Sequence, residues 1–240
     1  MPIYVLQHDS VNRPGRLGMT LRDHGFDQEV LRLDEGESLP SDFDDVDGVI
    51  SLGGPQQVDE KHAWIQPELD FLGGAHERSL PVVGVCLGAQ LIAKALGGEV
   101  GAMTEPELGF DDVTINARSH TETLLSGIAW TSPQFHFHSY EVREAPPGAR
   151  VLASSRRCAV QAFAVGMRTY AFQYHIEADR SIIDDLTGDA KTQLHASGLT
   201  SEEFAHQLDE KYPAFARLAD RLCVNIATYL IPRVANAIQR

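Results

Sequence analysis

Cys86 is the residue on which this sequence is best placed to do chemistry. It stands in Pro81-Val-Val-Gly-Val-Cys86-Leu-Gly-Ala-Gln90, between Gly84 and Gly88, where an apolar run of strand type gives way to a helical one. A sharp strand-to-helix turn needs small neighbours and throws its apex side chain into the crevice at the carboxyl ends of the strands. At a helix N-terminus, exposed N–H groups and the helix dipole favour the thiolate, and the same N–H groups can hold an oxyanion. A lone cysteine is more often a buried structural residue; the two glycines turn the reading toward a nucleophile. Such a nucleophile needs a base, and the base needs a group that fixes its tautomer. His175 and Glu177 meet that need. They follow Tyr170-Ala-Phe-Gln-Tyr174, and a spacing of two in an extended segment would put both side chains on one side. Alone, a His-x-Glu is common and usually solvated.

The elements that must position these groups alternate in the first half of the chain. Ile3 to Leu6, Glu29 to Leu33, Asp47 to Leu52 and Pro81 to Val85 read as strands, and Pro14 to His24 and Trp64 to Glu77 as helices. This pattern predicts an α/β fold with a mostly parallel sheet flanked by helices, in which Pro81 to Val85, apolar throughout, is central. From Glu99 the strand candidates become closely spaced: Val113 to Asn116, Phe135 to His138, Val151 to Ser155, Val160 to Ala164 and Tyr170 to Tyr174. Beyond Ala178 the chain reads as helical, Ser181 to Ser197 and then Phe204 to about Ile231, broken near Pro213. Leu208, Tyr212, Phe215, Leu218, Leu222 and Ile226 fall near helical spacing, which core packing explains best and a homodimer interface would also give.

Composition narrows the class. With 34 acidic against 20 basic residues, the formal charge of −14 argues against nucleic-acid or anionic-membrane partners. Cys86, Cys158 and Cys223 lack the close pairs of a zinc site or disulfide framework, which points to a reducing, cytoplasmic location, and the last two are assigned to structure. Met1 to His8 has no basic region before its short apolar run and is expected to be a strand rather than a secretion signal. The ten histidines show no ligand spacing, and neither metal nor organic cofactor is expected. Asp42, Asp44, Asp45 and Asp47 lack the glycine and distal Glu of a calcium loop and read as solvated acids.

Three segments taken together resemble the class I glutamine amidotransferase family, and in the family's order. Gly84-Val-Cys86-Leu-Gly88-Ala-Gln90 resembles its nucleophile motif, Gly53-Gly54-Pro55 its oxyanion loop and Phe172-Gln-Tyr-His175-Ile-Glu177 its distal His-Glu motif. Leu96-Gly-Gly-Glu-Val100, Glu107-Leu-Gly109, Pro147-Gly-Ala149 and Gln161-Ala-Phe163 look like the branch containing the amidotransferase domain of GMP synthase. The resemblance covers roughly residues 1 to 180. It implies a flavodoxin-like class I amidotransferase domain there, with 181–240 as a helical C-terminal extension packed on the same domain. It further implies catalytic Cys86, His175 and Glu177, an oxyanion hole from the N–H groups of Gly54 and Leu87, and substrate contacts from Gln90 and His138. Two departures, Ile176 where the family often has Pro and Phe137 where it often has Trp, remove no reacting group. No phosphate loop follows residue 180, so a stand-alone form is expected, with any ammonia-consuming synthetase a separate partner protein. The implied reaction is cleavage of the γ-glutamyl amide of glutamine through a thioester, releasing glutamate and ammonia. A freestanding γ-glutamyl peptidase or hydrolase of a small metabolite is the alternative, and a non-catalytic regulatory or binding protein of the same fold the third. Loops at 55–62 and 103–110 are expected to set substrate preference.

Overall fold

The structure is a computed structural model that describes residues 1–188 and 197–231. Its first half alternates strand and helix: β1 Ile3–Gln7, α1 Gly15–Asp23, β2 Gln28–Arg32, β3 Gly48–Ser51, α2 Ile65–Glu77, β4 Val82–Val85 and α3 Leu87–Ala95. Five strands follow, β5 Glu99–Ile115, β6 Thr131–Glu144, β7 Arg150–Ser154, β8 Ala162–Val165 and β9 Thr169–Phe172, then α4 Arg180–Gly188 and α5 Ser201–Asn225. All nine strands join one sheet in the order β2-β1-β3-β4-β9-β8-β7-β5-β6. The pairs from β2 to β9 are parallel, and every later pair is antiparallel.

Period-two alternation divides the apolar side chains of the parallel half between two faces. Ile3, Val5, Ile50, Val83 and Val85 pack with Leu17 and Leu21 of α1 and Leu222 of α5. Leu6, Val49 and Val82 pack with Leu69 and Leu72 of α2 and Leu91 and Ile92 of α3. β4 is therefore buried on both sides, as its unbroken apolar run predicts, and it lies inside the sheet.

The antiparallel half departs from expectation in length. β5 and β6 are 17 and 14 residues long where only short segments of each carry a strand pattern. Most of β5 before Leu108 is exposed or half-buried, so its ladder rests on backbone pairing to β6 and leaves no apolar alternation to read. The helical ending is also corrected. α5 runs unbroken through Pro213. The backbone bond that a proline forfeits is offset by Leu208, Phe215, Leu218 and Leu222, all buried on either side of it, and Thr200 starts the helix with a capping box to Glu203. The stripe on α5 faces the core: Leu208, Phe215 and Ala219 join Phe110, Phe135 and Ile182 in a third cluster, with Tyr212 against its edge. The helix expected over 181–197 is described only as far as Gly188, and its remainder lies outside the described residues. No helix among the described residues is long and apolar enough to cross a membrane.

Candidate active site

Cys86 sits between β4 and α3 with φ 52° and ψ −107°, one of two non-glycine residues at positive φ among those described. L-residues hold such a backbone only when the surroundings over-determine it. Here they do: Cys86 N–H donates to the Phe172 carbonyl of β9 at 2.8 Å and Gly88 N–H to the Leu52 carbonyl at 3.0 Å. The flanking glycines let the chain close. A Cβ on Gly84 would stand 2.6 Å from the Gly88 carbonyl oxygen, and one on Gly88 would collide with the Ser51 carbonyl. The elbow expected from the sequence is thus formed, and it leaves Cys86 5% exposed.

His175 and Glu177 meet it from the far side of the crevice. His175 Nδ1 lies 2.8 Å from Glu177 Oε1, and both side chains are buried. The extended-segment rationale does not hold, because β9 ends at Phe172 and residues 173–177 bend. The pairing arises in a turn, in which Ala178 N–H reaches the His175 carbonyl at 3.4 Å, and His175 N–H is pinned to the Phe135 carbonyl of β6 at 2.9 Å. Nε2 of His175 is buried without a conventional partner. Burial works against a charge on this ring, yet the Glu177 carboxylate and then Cys86 more than offset it, so the imidazole pKa is pushed well above its ordinary value. The other two thiols contrast with this setting: Cys158 and Cys223 are buried among groups that push their pKa values up, chiefly by desolvation.

The thiol opens on a cavity of about 400 Å³ lined by Gly54, Pro55, Gln56, Gln57, Cys86, Leu87, Gln90, Pro106, Leu108 and residues 137–140. Of the sequence-predicted groups, Gly54, Cys86, Leu87, Gln90 and His138 line it, while His175 and Glu177 lie buried behind Cys86. The two loops expected to shape the pocket also reach it, through 55–57 and through Pro106 and Leu108. Gln90 donates Nε2 to the Tyr140 carbonyl at 2.9 Å and to Gln173 Oε1 at 3.2 Å. His138 lines the wall: Nδ1 is 2.9 Å from the Tyr140 carbonyl, and Nε2 lies 3.1 Å from Glu107 Oε2 without hydrogen-bond geometry.

Behind that wall is a buried network whose members the sequence did not mark as functional. Glu107 accepts from Ser155 Oγ at 2.8 Å and from Gln161 Nε2 at 2.6 Å, and lies 3.7 Å from His136 Nδ1. Desolvation would raise the Glu107 pKa, but the two histidines and the hydroxyl outweigh it and hold the carboxyl at about 2. His136 is lowered too, to about 4, chiefly by burial, which keeps it neutral. Glu107, His136 and His138 also bring one donor atom each within 4.8 Å of one another, which amends the expectation that the histidines form no ligand set. Both Glu107 oxygens already accept hydrogen bonds, from Ser155 and Gln161, which describes a hydrogen-bonded network around the carboxylate. Glu107 and Gln161 stood in the sequence only as family-like motifs; four weak strands had to pair before their contact existed. A second buried pair, His8 and Glu68, lies against the Gly53-Gly54 loop with His8 Nε2 2.8 Å from Glu68 Oε2. Its signal was an acid set among Ile65, Leu69 and Leu72 on the apolar face of α2.

Comparison with known proteins agrees with this geometry. The family model for glutamine amidotransferase class-I matches residues 16–185. A glutamine-hydrolyzing GMP synthase subunit of Natronomonas pharaonis is 34% identical over 158 residues, covering 65% of this chain and 78% of that protein. The glutamine amidotransferase-like protein YfeJ of Salmonella typhimurium is 27% identical over 199 residues, covering 81% and 83%. Of some longer proteins named GMP synthase the chain spans only 26% to 31% of the length. Among solved structures, a glutamine amido transferase from Methylobacillus Flagellatus superposes with a TM-score of 0.85 at 27% identity, covering 93% of each chain. With the elbow, the His–Glu pair and the cavity in place on this sheet, the chain belongs to the class I glutamine amidotransferase family.

Proposed function

We propose that the protein is a cysteine hydrolase that cleaves the γ-glutamyl amide of glutamine to glutamate and ammonia. The observation that supports this reading is Cys86, held at positive φ on the cavity, with the His175–Glu177 pair buried against it. In the proposed cycle the Cys86 thiolate attacks the γ-carbonyl carbon and the carbonyl π electrons move to oxygen. That oxygen is held by the N–H groups of Gly54 and Leu87, the latter at the first residue of α3, where no preceding helical turn can accept it. The tetrahedral intermediate collapses as the His175 imidazolium gives its proton to the departing nitrogen, leaving a γ-glutamyl thioester and ammonia. Neutral His175 then takes a proton from water as it adds to the thioester, and glutamate leaves as the thiolate reforms. Glu177 keeps Nδ1 protonated, so that Nε2 carries the exchange. Gln90, its amide nitrogen committed to Tyr140 and Gln173, turns its carbonyl oxygen to the substrate's amino group. His138 acts by holding the Tyr140 carbonyl at the cavity edge.

The relatives named as GMP synthase subunits support an ammonia-supplying role beside a synthetase partner. A stand-alone γ-glutamyl hydrolase is the second reading, favoured by the near full-length match to YfeJ. Glutamate release from L-glutamine and from γ-glutamyl peptides, with Cys86→Ala as control, separates the two. Turnover confined to glutamine, or absent until a synthetase is added, supports the ammonia-supplying role. Fast Cys86-dependent turnover of a peptide supports the hydrolase. If nothing reacts and an electrophilic glutamine analogue leaves Cys86 unlabelled, both fail.

A further inference from the structure

His8 closes β1 at the carboxyl edge of the sheet and is completely buried. Its Nδ1 lies 3.1 Å from the Gly53 carbonyl oxygen, and its Nε2 lies 2.8 Å from Glu68 Oε2. The carbonyl only accepts, so Nδ1 carries hydrogen, and a carboxylate at Glu68 requires hydrogen on Nε2 as well. Glu68, also fully buried, takes a further bond from Ser51 Oγ at 2.6 Å. Ser51 is the residue whose carbonyl Gly88 closes upon at the elbow. A continuous chain of contacts thus runs from the elbow's flank through Glu68 and His8 to the loop opposite the thiol.

The carbonyl that His8 grips belongs to the Gly53–Gly54 peptide, and the N–H of that same peptide is Gly54's. In a planar trans amide the C=O and N–H point in opposite directions, and no cis peptide is present among the described residues. Holding the carbonyl toward His8 therefore aims the Gly54 N–H away from it. Two consecutive glycines offer little steric resistance to rotation of the plane between them, so the orientation needs an external hold. A hydrogen bond from a charged donor is shorter and stronger than a neutral one, and bonding at one end of an amide polarises its other end. From this geometry we infer that His8, backed by Glu68, is a positioning residue that fixes and polarises the Gly53–Gly54 peptide so that its N–H serves the developing oxyanion. The inference rests on the proposed role of Gly54. The electrostatics agree: burial opposes charge on His8, but Glu68 outweighs it and the net shift is upward. Gln56 Nε2, bonded to the His8 carbonyl at 2.8 Å, ties the same loop to the end of β1.

Two substitutions separate this role from plain support of the core. In His8→Gln the amide nitrogen can reach Glu68 but the donor to Gly53 is lost; in His8→Asn the donor to Gly53 is kept and the partner of Glu68 is lost. The expected result for hydrolysis of L-glutamine, or of a γ-glutamyl anilide if glutamine is not turned over, is a kcat about 10²-fold lower in His8→Gln with KM little changed. His8→Asn should retain at least about a tenth of kcat, while alkylation of Cys86 by iodoacetamide, which builds no oxyanion, proceeds equally in both. The inference is overturned if His8→Gln works as well as His8→Asn, or if alkylation falls in step with kcat. Should either variant not fold, Glu68→Gln decides: a kcat about tenfold lower at constant KM supports the inference, and an unchanged kcat overturns it. A crystal structure of the thiohemiacetal formed by Cys86 with a γ-glutamyl aldehyde tells the two levels apart. An oxygen placed away from Gly54 N–H removes the oxyanion reading and this inference together. An oxygen on that N–H with an unaffected His8→Gln removes the inference alone. No turnover of either substrate by the unaltered protein, with and without an added synthetase, removes both.

Discussion

Two completely buried histidines, His175 and His136, share one neighbourhood and are driven in opposite directions. His175 stands at the end of the parallel half, beside Glu177 and Cys86, and is held toward its charged form against the cost of burial. His136 stands on β6 of the antiparallel half, with neither ring nitrogen hydrogen-bonded, and burial holds it neutral even though Glu107 is near. What separates them is geometry at the carboxylate: 2.8 Å and aligned in one case, 3.7 Å and already engaged by Gln161 in the other. The same residue type is thus held toward its charged form in one half and neutral in the other.

The signs of the two shifts predict opposite pH behaviour. The stability that His175 gains from its partners is complete below the unfolded value of 6.5 and is lost as pH rises through its raised folded value. His136, lowered to about 4, favours unfolding progressively as pH falls from 6.5 to that value. Glu107, lowered from 4.5 to about 2, contributes stability above 4.5 that is lost as pH falls toward 2.

The sharpest break in the comparison is Cys86→Ala. If chemistry resides at the parallel strand ends, glutamate release should fall by about 10⁶-fold with the urea midpoint nearly unchanged. Glu177→Gln should come next, with kcat on the order of 10³-fold lower, since the base loses the group that orients it. In the antiparallel half, Glu107→Gln should act mainly through the wall. We expect KM raised about tenfold and about 3 kcal/mol of stability lost as His138 loses its charged partner, with kcat less affected, measured by steady-state kinetics and urea denaturation. A kcat loss matching Glu177→Gln would erase the distinction between the halves. The smallest effect is His136→Phe, which should leave kcat intact at neutral pH and remove about 3 kcal/mol of acid sensitivity between pH 6.5 and 4. Urea midpoints across that range check it.

Legibility in the sequence follows the same division. In the parallel half the strands inside the β2 edge are short and largely buried, and the elbow sits in adjacent residues, Gly84-Val-Cys86-Leu-Gly88, so local pattern carried both the fold and the candidate site. His175 and Glu177 were found through their spacing, although a turn rather than a strand brings them together. The Glu107 network was hidden because its members lie far apart on half-exposed strands and meet only through pairing. His8 and Glu68 were hidden for a related reason, since a histidine closing an apolar strand gives no sign of what an acid 60 residues later will do with it. Pro213 misled because a local rule was outweighed by packing on both sides of it.

The ladder between β5 and β6 slips between Ala102 and Glu107: Ala102 pairs with Tyr140 and Glu107 with His138, five steps along one strand against two along the other. Met103 to Pro106 thus stand opposite Ser139 alone, and the segment reaches the cavity wall through Pro106. Such a segment can be lengthened, trimmed or resequenced without moving Cys86, His175 or Glu177. Under the proposed function, in an evolving lineage or a designed library, it is a place where substrate range would drift while the reaction is conserved.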